Sequence, residues 1–350
     1  MTNKSENIKT TSIGEIGEFG LIELLTKEVE INRASTILGI GDDGAVLDNL
    51  GKNTVVSTDL LVEGIHFDLS YMPLKHLGYK AVTVNLSDIY AMFAEPTHIT
   101  VSIAISSKFS VESIEEIYDG ILLACEKYNV DLIGGDTTSS TSGLIISITA
   151  LGEIGDGNFV TRSGAKENDL ICVSGNLGAA YLGLKLMERE KKIFLENPAI
   201  QPNLGGKTYI IERLLKPEAR KDIIEWLKEK DILPTSMIDV SDGLSSEILH
   251  ICKQSKVGAR IYEEKIPIHS QTREMAEEFK IPDLTAALSG GEDYELLFTI
   301  SQNDFDKIKD LEGIEIIGHI LPENEGIHLM SAGGNLYPIE AQGWNPLKNN

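Results

Sequence analysis

The sequence predicts a two-domain protein of the α+β or α/β class. Three observations carry this reading. Strand-like apolar runs alternate with amphipathic helical stretches through both halves. A stretch rich in glycine and polar residues, GEIGDGNFVTRSGAKEND (152–169), separates the halves. The 350 residues exceed one average domain and leave room for two cores. The expected division is a flexible N-terminus over 1–13, a first domain over 14–155 and a second over 156–350.

In order, Ile16, Phe19, Leu21, Ile22, Leu24 and Leu25 repeat with helical spacing, which predicts a helix over 16–29. A strand is expected at 54–62 (TVVSTDLLV), a helix at 76–94 and a strand at 98–106. The amphipathic run VESIEEIYDGILLACEKY predicts a helix over 111–128. Strands at 130–136 and 144–154 complete the first half. In the second half the pattern predicts a strand at 169–175, a helix from about 179 to 188 and helical segments around 207–229. A strand at 236–243, a helix at 244–256, a strand at 295–300 and a short β-rich end follow.

Hydrophobic residues make up 42% and charged residues 24%, the balance of a globular protein, but the formal net charge is −23. Such a surface repels nucleic-acid phosphates and anionic membranes, so neither is an expected partner. Solubility accounts for an acidic surface as readily as metal binding does. Cys125, Cys172 and Cys252 are isolated, without zinc-site spacing, and read as buried thiols in a reducing compartment. The opening MTNKSENIKTTSIGEIG lacks the apolar core of a signal peptide, and no apolar run approaches the roughly 18 residues that span a bilayer. A cytoplasmic protein is expected.

The chemistry-bearing residues are aspartates where strands end and turns begin: Asp42 and Asp43 in GIGDDGAV, Asp59 in STDLLVEGIHF, Asp88 in NLSDIYAM, Asp136 in LIGGDTT, Asp239 and Asp242 in IDVSDGL. Asp88 and Asp242 each have a plain alternative as helix caps. Taken together, so many carboxylates beside apolar strands are costly to bury without a cation. Oxygen donors from Asp and from the hydroxyls of Ser57, Thr58 and Ser241 suit Mg²⁺. Many aspartates without a lysine-rich pocket suggest a phosphate substrate held through metal. GGKT (205–208) ends like a phosphate-binding loop but has Gln201 where that motif needs glycine, so it is expected merely to open a helix. The amides of GNLGAA (175–180) could bind an anion or simply turn a strand into a helix.

In sequence order, GEFGLIELL, GIGDDGAVL, STDLLVEGIHF, YKAVTVNLSDIYAM, LIGGDTT, TRSGAK, IDVSDGL and SGGEDYEL resemble the thiamine-monophosphate kinase family of the aminoimidazole ribonucleotide synthetase-related superfamily, from Gly14 to Trp344. The resemblance implies the two-domain aminoimidazole ribonucleotide synthetase-like fold and a homodimer joined by a barrel-like interface of N-terminal strands. It implies transfer of the γ-phosphoryl group of ATP to thiamine monophosphate, giving thiamine diphosphate and ADP, with several Mg²⁺ ions and K⁺ as an open addition. Asp43, Ser57, Thr58, Asp59, Asp88, Asp136, Asp239 and Asp242 would coordinate or position Mg²⁺, with Asp59, Asp88 and Asp242 acting in catalysis through it. Asp42 would shape the turn. Tyr118, Gly135, Asp136, Arg162 and Ser241 would meet the nucleotide, and His66, Glu292 and Trp344 would line the thiamine pocket. For Tyr118, His66 and Arg162 the alternatives are a helix-face residue, a packed histidine and a surface ion pair.

The close alternative is another ATP-dependent enzyme of the superfamily, such as aminoimidazole ribonucleotide synthetase. A selenophosphate synthetase would carry a reactive N-terminal cysteine and a carbamoyl dehydratase a C-terminal one, and this chain ends in PLKNN. A non-catalytic, acidic cation-binding protein would bind Mg²⁺ without turning over ATP.

Overall fold

A computed structural model of the chain describes residues 34–49, 51–155 and 158–340, together with Gly20 and Thr26. The N-terminal segment 1–13, the helix expected over 16–29 and Trp344 lie outside the described residues.

The first six strands are β1 (Thr36–Leu38), β2 (Ala45–Asn49), β3 (Lys52–Val62), β4 (Glu95–Ile105), β5 (Asp131–Ser139) and β6 (Ile145–Glu153). They form one sheet in the order β1-β2-β3-β6-β4-β5, with β4 and β5 the parallel pair. Helices α1 (Leu74–Ala91) and α2 (Val111–Tyr128) accompany them. β1 and β2 flank the GIGDDG turn, and the sequence reading missed both because they are short.

α1 is buried almost all round, including Lys80, Thr83, Asn85 and Ser87. A helix with so many buried polar residues has to find partners for them in its neighbours. α2 can press close against it because both helices carry glycine at the crossing. A Cβ on Gly78 would lie 1.9 Å from the Ile117 carbonyl oxygen, and one on Gly120 would lie 1.9 Å from that of Lys75.

The second sheet has the order β13-β12-β9-β11-β7-β10-β8, with only β9 and β12 parallel. Its strands are β7 (Leu170–Ser174), β8 (Ser236–Asp239), β9 (Val257–Tyr262), β10 (Leu296–Ile300), β11 (Ile314–Pro322), β12 (Ile327–Met330) and β13 (Leu336–Pro338). The helices of this half are α3 (Ala179–Glu196), α4 (Thr208–Leu215), α5 (Lys221–Glu229), α6 (Leu244–Ser255), α7 (Ser270–Phe279), α8 (Asp283–Ser289) and α9 (Phe305–Ile308). α3 runs eight residues past its expected end, and β9, α7 and α8 had no counterpart in the sequence reading. One apolar core runs from Val46 through α1 to Met237 and Phe298, so the two halves share buried contacts.

The first sheet has its helices on one side. Its other face, with Thr58 and Leu60, lies open, and Leu60 is 53% exposed. The edge strand β5 is exposed at every residue but the half-buried Leu132.

Candidate active site

The site forms where the C-terminal half of α1 meets β3 and the edge strand β8. Asn85, Ser87 and Asp88 tie these elements together. Asn85 Oδ1 accepts the Asp59 amide at 2.9 Å. Ser87 Oγ donates to Asp239 Oδ2 at 2.7 Å, and Ser57 Oγ donates to Asp88 Oδ2 at 2.5 Å. The two halves of the chain thereby place one carboxylate oxygen from each of Asp43, Asp88 and Asp239 within 4.8 Å of one another.

The adjacent aspartates of the GIGDDG turn divide one arginine between them. Asp42 Oδ1 accepts the Arg162 amide at 2.7 Å. Asp43 accepts the guanidinium with both oxygens, from Nη2 at 2.8 Å and Nε at 3.0 Å. This is a planar, two-pronged pair with little solvent around it, unlike a surface ion pair.

The remaining carboxylates are short of positive charge. Burial, then the charges of Glu292 and Asp43, pushes Asp59 up from 3.8 to about 6. Burial, then Asp43, pushes Asp239 up to about 8, against the opposing effects of Ser87 and Arg162. Asp88 is driven well above the carboxylate range by burial and by Asp59 and Asp239. Burial also lifts Asp42 to about 6 and lowers nearby His250 to about 4. Hard oxygen donors that hold their protons this tightly are what a divalent cation would discharge, so these residues fit Mg²⁺.

Two cavities adjoin beside this cluster, which only the smaller one reaches. A small one of ≈ 130 Å³ is lined by Asp59, Lys80, Asp88, Asp239, Ser241 and Tyr294, and also by His66 and Glu292. A larger cleft of ≈ 970 Å³ has Phe67, Tyr71, Tyr181 and Leu184 in its wall and shares His66 and Glu292 with the first. His66 Nδ1 accepts the Val62 amide at 3.0 Å, which fixes the ring at the end of β3. Glu292 stands in the left-handed region, φ 62°, with its amide donating to the Ser241 carbonyl at 2.6 Å. A non-glycine residue in that conformation marks a position set by its surroundings. The next residue, Asp293, is buried and accepts the Gly178 amide at 2.6 Å. The anion at the GNLGAA turn is therefore the chain's own carboxylate, which holds the N-terminus of α3. GGKT does lead into α4, and Lys207 pairs there with Glu278 at 3.2 Å.

Several expected site residues lie elsewhere. Strand alternation turns Ser57 and Asp59 toward α1 and Thr58 away from it. Thr58 Oγ1 donates to the Ile148 carbonyl at 3.0 Å and sits 3.1 Å from Thr149 Oγ1, on the open face. Leu60 pairs with Ser147, Ser147 with Ser102, and Ser102 with Asp136, so these four share that open face. Asp136 is thus on the opposite side of the sheet from Asp59 and three strand spacings away, roughly 14 Å. Within one chain, neither the Thr58 hydroxyl nor Asp136 reaches the cluster.

Gly135 on β5 has a structural reason to be glycine: a Cβ there would lie 1.8 Å from the Val101 carbonyl oxygen. Tyr118 packs on the first core from α2 and lines neither cavity. Asp242 stands beside the small cavity, where its amide donates to Glu247 Oε1 at 2.8 Å, a capping arrangement for α6; it is not one of the three clustered carboxylates. Asn85, Ser87, Lys80 and Tyr294 were missed as site residues. For the first three the signal was a run of polar residues within an otherwise apolar helix; Tyr294 gave none beyond its place in SGGEDYEL.

A family model described as AIR synthase related protein, N-terminal domain, matches residues 41–154. That stretch carries the first sheet from β2 to β6 with α1 and α2. A curated thiamine-monophosphate kinase from Bacillus subtilis (strain 168) is 33% identical over 337 residues, 95% of this chain and 99% of the relative. One from Buchnera aphidicola subsp. Schizaphis graminum is 40% identical over 326 residues, 90% of this chain and 94% of the relative. The solved structure of AaThiL complexed with AMPPCP and TMP superposes with a TM-score of 0.82 at 31% identity, covering 96% of this chain and 99% of that one. The chain belongs to the thiamine-monophosphate kinase family.

Proposed function

We propose that this protein transfers the γ-phosphoryl group of ATP to the phosphate of thiamine monophosphate, forming thiamine diphosphate and ADP. The observation that carries the reading is the small acidic cavity lined by Asp88 and Asp239, two of the clustered carboxylates, which adjoins through His66 and Glu292 a cleft large enough for a two-ring substrate. An acceptor phosphate oxygen, already ionised near neutral pH, attacks the γ-phosphorus; the bond to the β-phosphate oxygen breaks and ADP leaves. No general base is needed, so the protein's task is to hold two anions in line.

Asp43, Asp59, Asp88, Asp239 and Asp242, with the Ser57 hydroxyl, would hold Mg²⁺. Bound Mg²⁺ supplies the positive charge that lets phosphates enter an acidic cleft and draws charge from the transferring group. His66 and Glu292 stand between the two cavities, where Glu292 can offset the charge of a thiazolium ring or accept from an aminopyrimidine. Arg162 and Ser241 serve the nucleotide end.

The open sheet face and the exposed β5 edge support a homodimer, since an uncovered edge and face invite a second copy. The expected roles of Thr58 on the open face and of Gly135 and Asp136 on the β5 edge then belong to that dimer, where this surface meets the partner. The division into domains at 14–155 and 156–350 follows the two sheets, and the three buried, unpaired thiols suit the cytoplasm.

The test is purified protein with ATP, Mg²⁺ and thiamine monophosphate, resolved by chromatography, with EDTA and K⁺-free controls and light scattering for the oligomer. Equimolar thiamine diphosphate and ADP, formed only with Mg²⁺, is the expected result. Neither product from folded, ATP-binding protein would overturn the reading and make formylglycinamidine ribonucleotide the next substrate to assay.

A further inference from the structure

Lys80 is a cation set into an acidic site. Among the described residues it is the only buried lysine or arginine, and the only one that lines the small cavity. Its spacing explains the placement: Lys80, Val84 and Asp88 follow one another at intervals of four on α1, so all three present to one side, and all three line that cavity.

An ammonium has three N–H donors and no acceptor. One donates to the Leu214 carbonyl at 3.3 Å and one to the Glu292 carboxylate. Both partners come from the second half of the chain, whereas α1 belongs to the first. The third donor is left for a ligand in the cavity.

A positive charge beside Asp59, Asp88 and Asp239 works against the divalent cation that those carboxylates suit. Once those carboxylates are committed to metal, the buried ammonium needs an anion of its own. Glu292 fills part of that need, but its side chain is 35% exposed against 2% for Lys80, and it also lines the large cleft. The ammonium thus stands at the neck between the cleft and the acidic cavity. A molecule with a cationic ring in the cleft and a phosphate reaching toward the carboxylates would set that phosphate beside Nζ.

We propose that Lys80 is a further substrate-contacting residue, whose free N–H donates to an oxygen of the acceptor phosphate of thiamine monophosphate while Glu292 faces the thiamine rings. The assignment rests on the phosphoryl-transfer reading above. It adds a direct protein cation on the acceptor, which keeps the nucleophilic oxygen aimed and offsets its repulsion from the γ-phosphate.

The experiment compares thiamine monophosphate with thiamine, which lacks the phosphate, by calorimetric titration in Mg²⁺ buffer, alongside steady-state kinetics. Loss of one charged hydrogen bond corresponds to roughly 10- to 100-fold. Lys80→Met is expected to raise the Kd for thiamine monophosphate by about that factor, to leave the Kd for thiamine within about twofold, and to lower kcat. Lys80→Arg, which keeps the charge, should recover part of the loss. Glu292→Gln should weaken both ligands equally. Equal losses for both ligands in Lys80→Met would overturn the proposal, because Lys80 would then act only through Glu292, and so would unchanged affinity and turnover. If Lys80→Met does not fold, as judged by circular dichroism, Lys80→Gln is read in its place by the same criteria. Wild-type protein that forms no thiamine diphosphate would overturn the phosphoryl-transfer reading, and this assignment with it. Active wild type with an unaffected Lys80 variant would overturn the assignment alone.

Discussion

Replacing Asp239 by asparagine should stabilise the metal-free protein while abolishing its activity. Asp239 is 3% exposed, and one of its carboxylate oxygens lies within 4.8 Å of those of Asp43 and Asp88. At that separation and an effective dielectric constant near 20, one like-charge contact costs about 3 kcal/mol when both groups are ionised. Arg162 offsets much of the Asp43 charge, and protons held within the cluster relieve part of the rest, so a net gain of about 2 kcal/mol is expected at pH 8. The Asn Oδ1 can still accept from Ser87, so no hydrogen bond need be lost.

The sign with pH follows from the raised affinity. Folded Asp239 keeps its proton to about pH 8, whereas an unfolded aspartate releases it near 3.8. The native state therefore binds more protons across that window, and its stability falls as pH rises through it. At pH 5 the wild type has lost only the part of that stability that falls away between pH 3.8 and 5, so the variant should show a smaller advantage than at pH 8. Thermal melts in EDTA at pH 5 and pH 8 read this directly, with a rise of about 4 °C at pH 8 taken at ~2 °C per kcal/mol. Adding Mg²⁺ should raise the wild-type midpoint more than that of the variant. An asparagine variant no more stable than wild type at pH 8, or equally stabilised at both pH values, would refute the reasoning.

Two further outcomes test the frame around the site. Gly135→Ala places a Cβ 1.8 Å from the Val101 carbonyl oxygen and should cost about 3 kcal/mol through forced separation of β4 and β5, read by chemical denaturation; a loss under about 0.5 kcal/mol would show that the strands yield freely. Glu218 accepts from Tyr79 Oη at 2.6 Å, Lys127 Nζ at 2.6 Å and Tyr128 Oη at 2.7 Å, joining the two halves. Glu218→Ala should cost about 2 kcal/mol in the same measurement, and a neutral result would make that junction dispensable.

The sequence made the inventory of the site legible. Repeating acidic turns next to apolar strands pointed to hard oxygen donors, and the helix at 111–128 ends where its amphipathic pattern ends. The division of one motif between two faces was also readable from sequence. Ser57, Thr58 and Asp59 are consecutive in an expected strand, and three consecutive strand residues cannot face one way. The face that Asp136 takes was not readable, because it depends on register carried from β3 through β6 and β4, with bulges on the way. α3 outran its expected end because a largely polar stretch, Arg189 to Lys192, stays helical through contacts such as Arg189 with Glu278 and Lys191 with Asp68.

Local periodicity and residue chemistry are properties of neighbours in the chain, and they specify strands, helices and the supply of carboxylates, hydroxyls and glycines. Which carboxylates meet is a property of neighbours in space. Asp43 finds Arg162 at a separation of 119 residues, and Ser87 finds Asp239 at 152. The same aspartate is an ordinary solvated charge on the open face of the first sheet and a proton-holding metal ligand candidate on the other. Folding makes that difference by removing water and bringing like charges within a few ångströms of one another.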